Sequence, residues 1–248
     1  MAILSLLVVA SILYPTIEAF VDAPKCIVYI LSYNEDTRGK GRDYFKDDIY
    51  RHITIQQQKY LENIMYLRTL DINEFEWANA DYVGTLSYKA PSKMQVPDIA
   101  RRMRELDPKI DDVVVFSAYN ENLLDQAVWY HGQHFEIVWL YLLKKMGYTE
   151  AEALDPMILA YCCNYWMATP AWMRRYIAFF KKAHAIMEGD QKLSEMLHKD
   201  SMYHGGVPPE MCMELFGRPY YTYHPFVCER LSCFFFHRHG ARIAEMVG

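Results

Sequence analysis

The sequence predicts an α/β domain, and three observations carry that expectation. Short β-prone runs recur at residues 25–32, 81–89 and 111–117. Longer stretches with helical spacing separate and follow them. The 248 residues are 52% hydrophobic and 15% aromatic, enough for one sizeable core, and no internal repeat, low-complexity tract or linker divides them. One domain is therefore expected over 24–248, preceded by an apolar segment at 1–23.

Residues 3–17 form the most apolar run. It is shorter than the ~20 residues of a spanning helix, and Glu18 ends it. No Lys or Arg precedes it, so a secretory signal would lack its basic start. Three readings stay open: a peripheral membrane anchor, a weak signal, or an element packed on the domain. The expected location is cytoplasmic, with membrane association through 3–17 left open.

Residues 25–32 read as a buried first strand, bounded by Pro24 and by Tyr33-Asn34-Glu35. The charged segment 36–48, with Gly39 and Gly41, reads as a loop, and 49–65 as an amphipathic helix. A polar and aromatic run at 67–80 delivers the chain to the strand at 81–89. There Val83 and Gly84 let another backbone pass closely, and Pro91 stops the pattern soon after. A helix is expected over 96–106, starting at Pro97. Its Arg101, Arg102 and Arg104 read as a solvated face, partly offset by Glu105 and Asp107.

The strand at 111–117 begins with Asp111 and Asp112. Helical spacing then runs over 123–146 and is rich in aromatics: Trp129, Tyr130, Phe135, Trp139 and Tyr141. His131 and His134, three apart, would share one face, and Gly132 between them suggests a close approach to the backbone. An apolar stretch at 157–168 carries Asn164, Tyr165 and Trp166. Thr169-Pro170 then starts a helix to about 187, stopped at Gly189. A short helix follows at 191–198, then an irregular stretch at 200–223, and a last helix runs through Phe236.

A formal charge of −5 gives no broad positive field to gather phosphates, so no nucleic-acid partner is expected. The six cysteines match no CxxC metal frame and read mostly as reduced, buried hydrophobes. No GxSxG, HExxH, P-loop or GxGxxG pattern is present, which leaves hydrolases, zincins and nucleotide switches without motif support.

In open α/β sheets, ligands bind beyond the carboxyl ends of the strands. The runs at 24–34 and 81–89 both end in Tyr, Ser or Asn, so their ends are expected to line one pocket. Candidate ligand contacts there are Tyr29, Ser32, Asn34, Thr85, Ser87, Tyr88 and Lys89.

Several pieces then form an order: Glu74 to Trp77, Asp81-Tyr82-Val83-Gly84, Ser87-Tyr88-Lys89, His131-Gly132-Gln133-His134, Asn164-Tyr165-Trp166-Met167 and Cys228-Glu229-Arg230-Leu231. That order resembles the small glycosyltransferases of bacterial capsule and lipopolysaccharide clusters and of large algal viruses. The chain departs from their pattern in three places. Ser87-Tyr88-Lys89 stands for His-Tyr-Arg, the paired histidines are separated, and the acid after them is missing.

The resemblance implies a GT-A-like fold, with a mixed, mostly parallel sheet and helices on both faces. It also implies transfer of a sugar from a nucleotide-sugar, UDP- or GDP-linked, to a glycan acceptor. Such transfer needs a base at the acceptor hydroxyl, cations or donors for the leaving diphosphate, and aromatic faces for sugar rings. On this resemblance the catalytic candidates are Asp81, Glu229 and His134. Lys89, His131, His224 and Arg230 would supply donors or charge, Asn164 would bind, and Tyr88, Tyr165 and Trp166 would stack.

Each of these residues also has a plain structural reading. Asp81 could cap a strand start, Glu229 and Arg230 could pair at a helix start, and the histidines could be satisfied core residues.

No Asp-x-Asp occurs, and the adjacent pairs Asp47-Asp48 and Asp111-Asp112 would point to opposite faces. No metal ligands are assigned, while a divalent cation, Mn²⁺ or Mg²⁺, is left open. The diphosphate charge would then fall to Lys89, Arg230 and the histidines. The alternatives are a non-catalytic carbohydrate-binding or protein-binding domain, or a membrane-peripheral interaction protein.

Overall fold

The structure, a computed structural model, describes residues 25–56, 58–93, 99–103, 105–116, 121–161, 163–203 and 208–246. The expectations for 3–17, Pro97, Arg104 and Ser117 lie outside these residues. Among the described residues no helix is long and apolar enough to cross a membrane.

Six strands form one mixed sheet: β1 (Cys26–Ser32), β2 (Tyr50–Thr54), β3 (Tyr82–Ser87), β4 (Val113–Val115), β5 (Trp166–Ala168) and β6 (Ile243–Glu245). Their spatial order is β2-β1-β3-β5-β4-β6. The β1–β2, β1–β3 and β4–β6 pairs are parallel, and β5 runs antiparallel to both β3 and β4. The α/β class expected from the sequence and the mixed, mostly parallel sheet that the resemblance implies are both present.

The period-two alternation of a strand divides the core between the two faces. Ile27, Tyr29, Leu31, Val83, Val113, Val115, Trp166 and Ala168 face one apolar layer. Cys26, Val28, Ile30, Tyr82, Leu86, Val114 and Met167 face the other.

The larger layer is closed by α4 (Leu123–His131), α5 (His134–Met146), α7 (Pro170–Gly189), α8 (Gln191–Leu197) and α10 (His224–Arg238), with the one-turn helices α2 (Glu74–Trp77) and α6 (Glu150–Ala153) beside them. Helix α10 is apolar on almost every side, with Phe226, Val227, Cys228, Leu231, Cys233 and Phe234 to Phe236 all buried, so it lies inside the domain. Trp166, Tyr176, Phe179, Phe180, Phe235 and Phe236 pack there ring against ring at 4.9–6.3 Å. The smaller layer takes Ile99 and Met103 from α3 (Ile99–Met103) and Phe45 from the turn after α1 (Glu35–Tyr44).

Several expectations are corrected. The charged segment at 36–48 is mostly helix α1, not a loop. Asn34 caps it in a box with Thr37, Asn34 Oδ1 accepting from the Thr37 N–H at 2.9 Å, and Lys40–Asp36 and Arg38–Glu35 pair along it. Residues 49–65 do not form one amphipathic helix. They give the edge strand β2 and then a 3₁₀ turn at Leu61–Ile64, because alternating hydrophobes fit a strand as well as a helix turn.

The stretch at 200–223 contains a helix, α9 (Pro209–Phe216), started by Pro209 and closed by Gly217 with φ +67°. The 123–146 run breaks in two at Gly132, whose φ is +73°. A Cβ there would lie 2.9 Å from Met202 Sδ, so the expected close approach is real but ends a helix. Strand β6 is too short to signal itself in sequence. It pairs with β4, packs Ala244 on the smaller layer and is flanked by the Arg242–Asp112 ion pair at 2.8 Å, which also gives Asp112 a structural use.

Candidate active site

Strands β1 and β3 pair in parallel with Leu31 opposite Ser87, so their carboxyl ends open on the same side. Gly84 makes the neighbouring β5 pairing close. A Cβ at that position would sit 2.4 Å from Met167 Cβ and 2.5 Å from the Trp166 carbonyl oxygen.

Just before β5, Asn164 takes a left-handed φ of +56° and ties the surroundings together. Its carbonyl accepts from Thr85 Oγ1 at 3.1 Å and its Oδ1 from the Tyr66 hydroxyl at 3.1 Å. Its Nδ2 donates to Asn63 Oδ1 at 3.0 Å. Asn63 in turn donates to the carbonyls of Tyr60 and Pro225, which fixes the Leu61–Ile64 turn against the start of α10.

Between these parts lies a cavity of about 140 Å³, lined by Tyr33, Leu61, Glu62, Ser87, Lys89, Lys93, Cys163, Tyr165, Tyr203, Tyr221, Phe226 and Glu229. It combines aromatic walls with two carboxylates and two ammonium groups.

Glu229 is a carboxyl whose surroundings raise its proton affinity. Enclosure by protein pushes its carboxyl up, Arg230 opposes, Glu62 adds to the rise and Lys93 opposes, leaving it at about 7. A carboxyl at that value exchanges its proton near neutrality. The Tyr33 hydroxyl is held well above its ordinary value by burial and by its interaction with Glu62. Burial pulls the Lys93 ammonium down, while Cys163, Glu62 and Glu229 outweigh it and keep the group charged. Its Nζ lies 3.6 Å from Cys163 Sγ and 5.7 Å from the Tyr165 ring centre.

The structure brings Ser87, Lys89, Tyr165 and Glu229 into this one cavity, and Tyr88 stands behind it, edge-on to Tyr33 at 6.3 Å. The other candidates lie elsewhere. Asp81 accepts the Lys25 N–H at 2.7 Å before β3 begins, some six residues and roughly 20 Å from the cavity end of the strand. Tyr29 donates to Glu76 Oε2 at 2.7 Å on the larger core face. Ser32 is buried at the end of β1, Asn34 caps α1, and Thr85 and Asn164 bond each other. Trp166 is core, stacked on Tyr66 at 5.7 Å.

The two histidines do not share a face. His131 ends α4 and stacks on Phe226 at 4.1 Å, behind the cavity wall. His134 begins α5, with Nε2 3.3 Å from the Met196 carbonyl oxygen and its ring against Tyr223. His224 is buried beside Thr222 and His198. Burial holds His131 and His224 down at about 3, helped by Arg230 in the first and by His198 and Lys59 in the second.

Arg230 points inward. Its Nη2 donates to Gln126 Oε1 at 2.7 Å and its Nη1 to the Phe226 carbonyl at 3.0 Å, so it is not on the cavity surface.

Sequence reasoning missed Glu62, Lys93, Tyr203 and Tyr221, and it did not mark Tyr33, Cys163 or Phe226 as site residues. Glu62 sat in a segment read as a helix, and the others carry no local motif. Among the described residues no group of three His, Cys, Asp or Glu side chains could hold a metal ion. No protein-family model, curated protein or solved structure matches the chain.

Proposed function

We propose that the chain transfers a sugar from a nucleotide-sugar to an acceptor hydroxyl, with Glu229 as the base. One observation carries the reading: a carboxyl at about 7 faces a tyrosine-lined cavity that also holds two lysines, at the carboxyl ends of two parallel strands. The resemblance in motif order adds to it.

On this reading the acceptor O–H gives its proton to the Glu229 carboxylate as its oxygen bonds to the anomeric carbon. The bond from that carbon to the diphosphate oxygen breaks, and its electron pair leaves with the nucleoside diphosphate. Lys89 and Lys93 offset the charge that develops there, in place of the inward-facing Arg230. Tyr33, Tyr165, Tyr203 and Phe226 offer ring faces to the reacting sugar. At about 140 Å³ the cavity is well under the ~300 Å³ at which whole-ligand pockets begin, so it suits the reacting ring, with the nucleotide lying over the exposed lysines.

The test is a panel of nucleoside diphosphates and UDP- and GDP-sugars, read by melting temperature and by nucleotide release. A diphosphate should raise the melting temperature, because a ligand of the native state alone stabilises it. At least one sugar nucleotide should release its diphosphate. Glycan binding with no response to any nucleotide would instead favour a carbohydrate-binding module.

A further inference from the structure

On the outer face of α4 an open depression of about 350 Å³ is lined by Glu121, Asn122, Asp125, Gln126, Trp129 and Tyr130. Trp129 is 84% exposed and Tyr130 51% exposed. The other four indoles are buried or partly buried, which makes Trp129 the exception. A flat apolar ring held in water on a rigid helix favours whatever can cover it.

The polar lining narrows the choice. The Asn122 side chain is spent on the helix, accepting from Leu124 and Asp125 N–H and donating to the Pro156 carbonyl. Gln126 accepts from Arg230. What faces outward is a pair of carboxylates, Glu121 and Asp125, which accept hydrogen bonds and repel anions. A ring face beside acceptor-only carboxylates repels anions and admits either a cation or a polyhydroxylated ligand, whose C–H face stacks on the indole and whose hydroxyls donate. A chain of rings to the sugar-fitting cavity favours the second. The face does not match a phosphate or a uronate.

That chain of rings links the depression to the cavity wall. Tyr130, His131 and Tyr203 follow one another at ring distances of 6.4 and 5.8 Å, and Tyr203 lines the cavity. Gln126, which lines the depression, holds Arg230, next in the chain to Glu229.

We infer that the Trp129–Tyr130 shelf is a binding site for a neutral glycan, holding the part of an acceptor that extends beyond the reacting ring. The role as acceptor rests on the glycosyl-transfer reading. The binding itself does not, and it is measured without any donor, so the two can fail separately.

The full chain is applied to an array of neutral and uronate- or sulfate-bearing oligosaccharides. The bound ones are then titrated while acrylamide quenching of tryptophan fluorescence is followed. Because Trp129 is the most exposed indole, quenching reports mainly on it. A neutral oligosaccharide at millimolar concentration should shield the indole and shift its emission to shorter wavelength, and the charged ones should not. Trp129→Ala, at an exposed position, should keep the wild-type melting temperature and weaken binding about tenfold or more.

No shielding by any neutral member of the array would overturn the inference, as would unchanged affinity in Trp129→Ala. Shielding that grows with protein concentration in the absence of sugar would also overturn it, assigning the face to contacts between copies. Glycan binding without nucleotide release would keep the shelf and discard the transferase.

Discussion

Glu229 changes charge close to neutral pH because protein encloses it on most sides and Glu62 stands nearby, while Arg230 and Lys93 stop the rise at about 7. Its ordinary value is 4.5, so between 4.5 and 7 the folded chain keeps a proton that the unfolded chain releases. Stability from this group therefore falls as pH rises through that window. Glu229→Gln, which cannot ionise, should melt above wild type at pH 8. The expected gain is on the order of 1 kcal/mol or more, about 2–4 °C in Tm, and it should vanish near pH 4.

His131 and His224 act in the opposite sense. Held at about 3 against an ordinary 6.5, they contribute stability that is lost as pH falls from 6.5 toward 3. The melting temperature of Glu229→Gln measured across pH 3–8 should therefore lose its decline on the alkaline side and keep the one on the acid side. A decline on both sides equal to wild type would mean that Glu229 is not the group titrating near 7.

At the scale of elements, β1, β3, α7, α8 and α10 were legible because local signals and final environment agree. Two-sided apolar runs became buried strands, and Thr169-Pro170 and Gly189 bracket α7. The failures came where tertiary contacts decide. Helix α1 hides in a charged, glycine-bearing segment and rests on its capping box and ion pairs. Strand β2 gains its conformation by pairing with β1, Val28 opposite Tyr50, and β6 by pairing with β4 beside the Arg242–Asp112 pair.

Gly84 is the element-scale constraint that could be read in advance. Gly84→Ala should force β3 and β5 apart at Met167 and Trp166, lowering stability by about 1–3 kcal/mol or more in denaturant titrations. A neutral effect would mean that the β3–β5 pairing is not as close as the backbone indicates.

For the whole molecule, the sheet decides which candidate residues can meet. Asp81 and Glu229 were equally plausible carboxylates in sequence, yet β3 separates Asp81 from the cavity by its full length. Ser87, Lys89, Tyr165 and Glu229 were found because strand ends and motif order mark them. Glu62, Lys93 and Tyr203 come from three distant segments that only the fold assembles.

On the proposed glycosyl-transfer reading, the two ammonium groups of the same assembly, Lys89 and Lys93, would offset the charge of a leaving diphosphate. Turnover should accordingly persist in excess EDTA and fall at least tenfold when Lys89 and Lys93 are both replaced by Met. Complete loss with the chelator, restored by Mn²⁺, would assign that charge to an ion instead.

The central claim, a base at Glu229 for glycosyl transfer, is tested most directly by the initial rate of nucleoside diphosphate release. It should be followed against pH with the best donor and acceptor, for wild type and Glu229→Gln. Wild type should rise through a pKa near 7 to a plateau, and the folded variant should be slower by about a hundredfold or more, with no such rise. Equal rates and equal pH profiles in the two proteins, or no release from any donor, would contradict it.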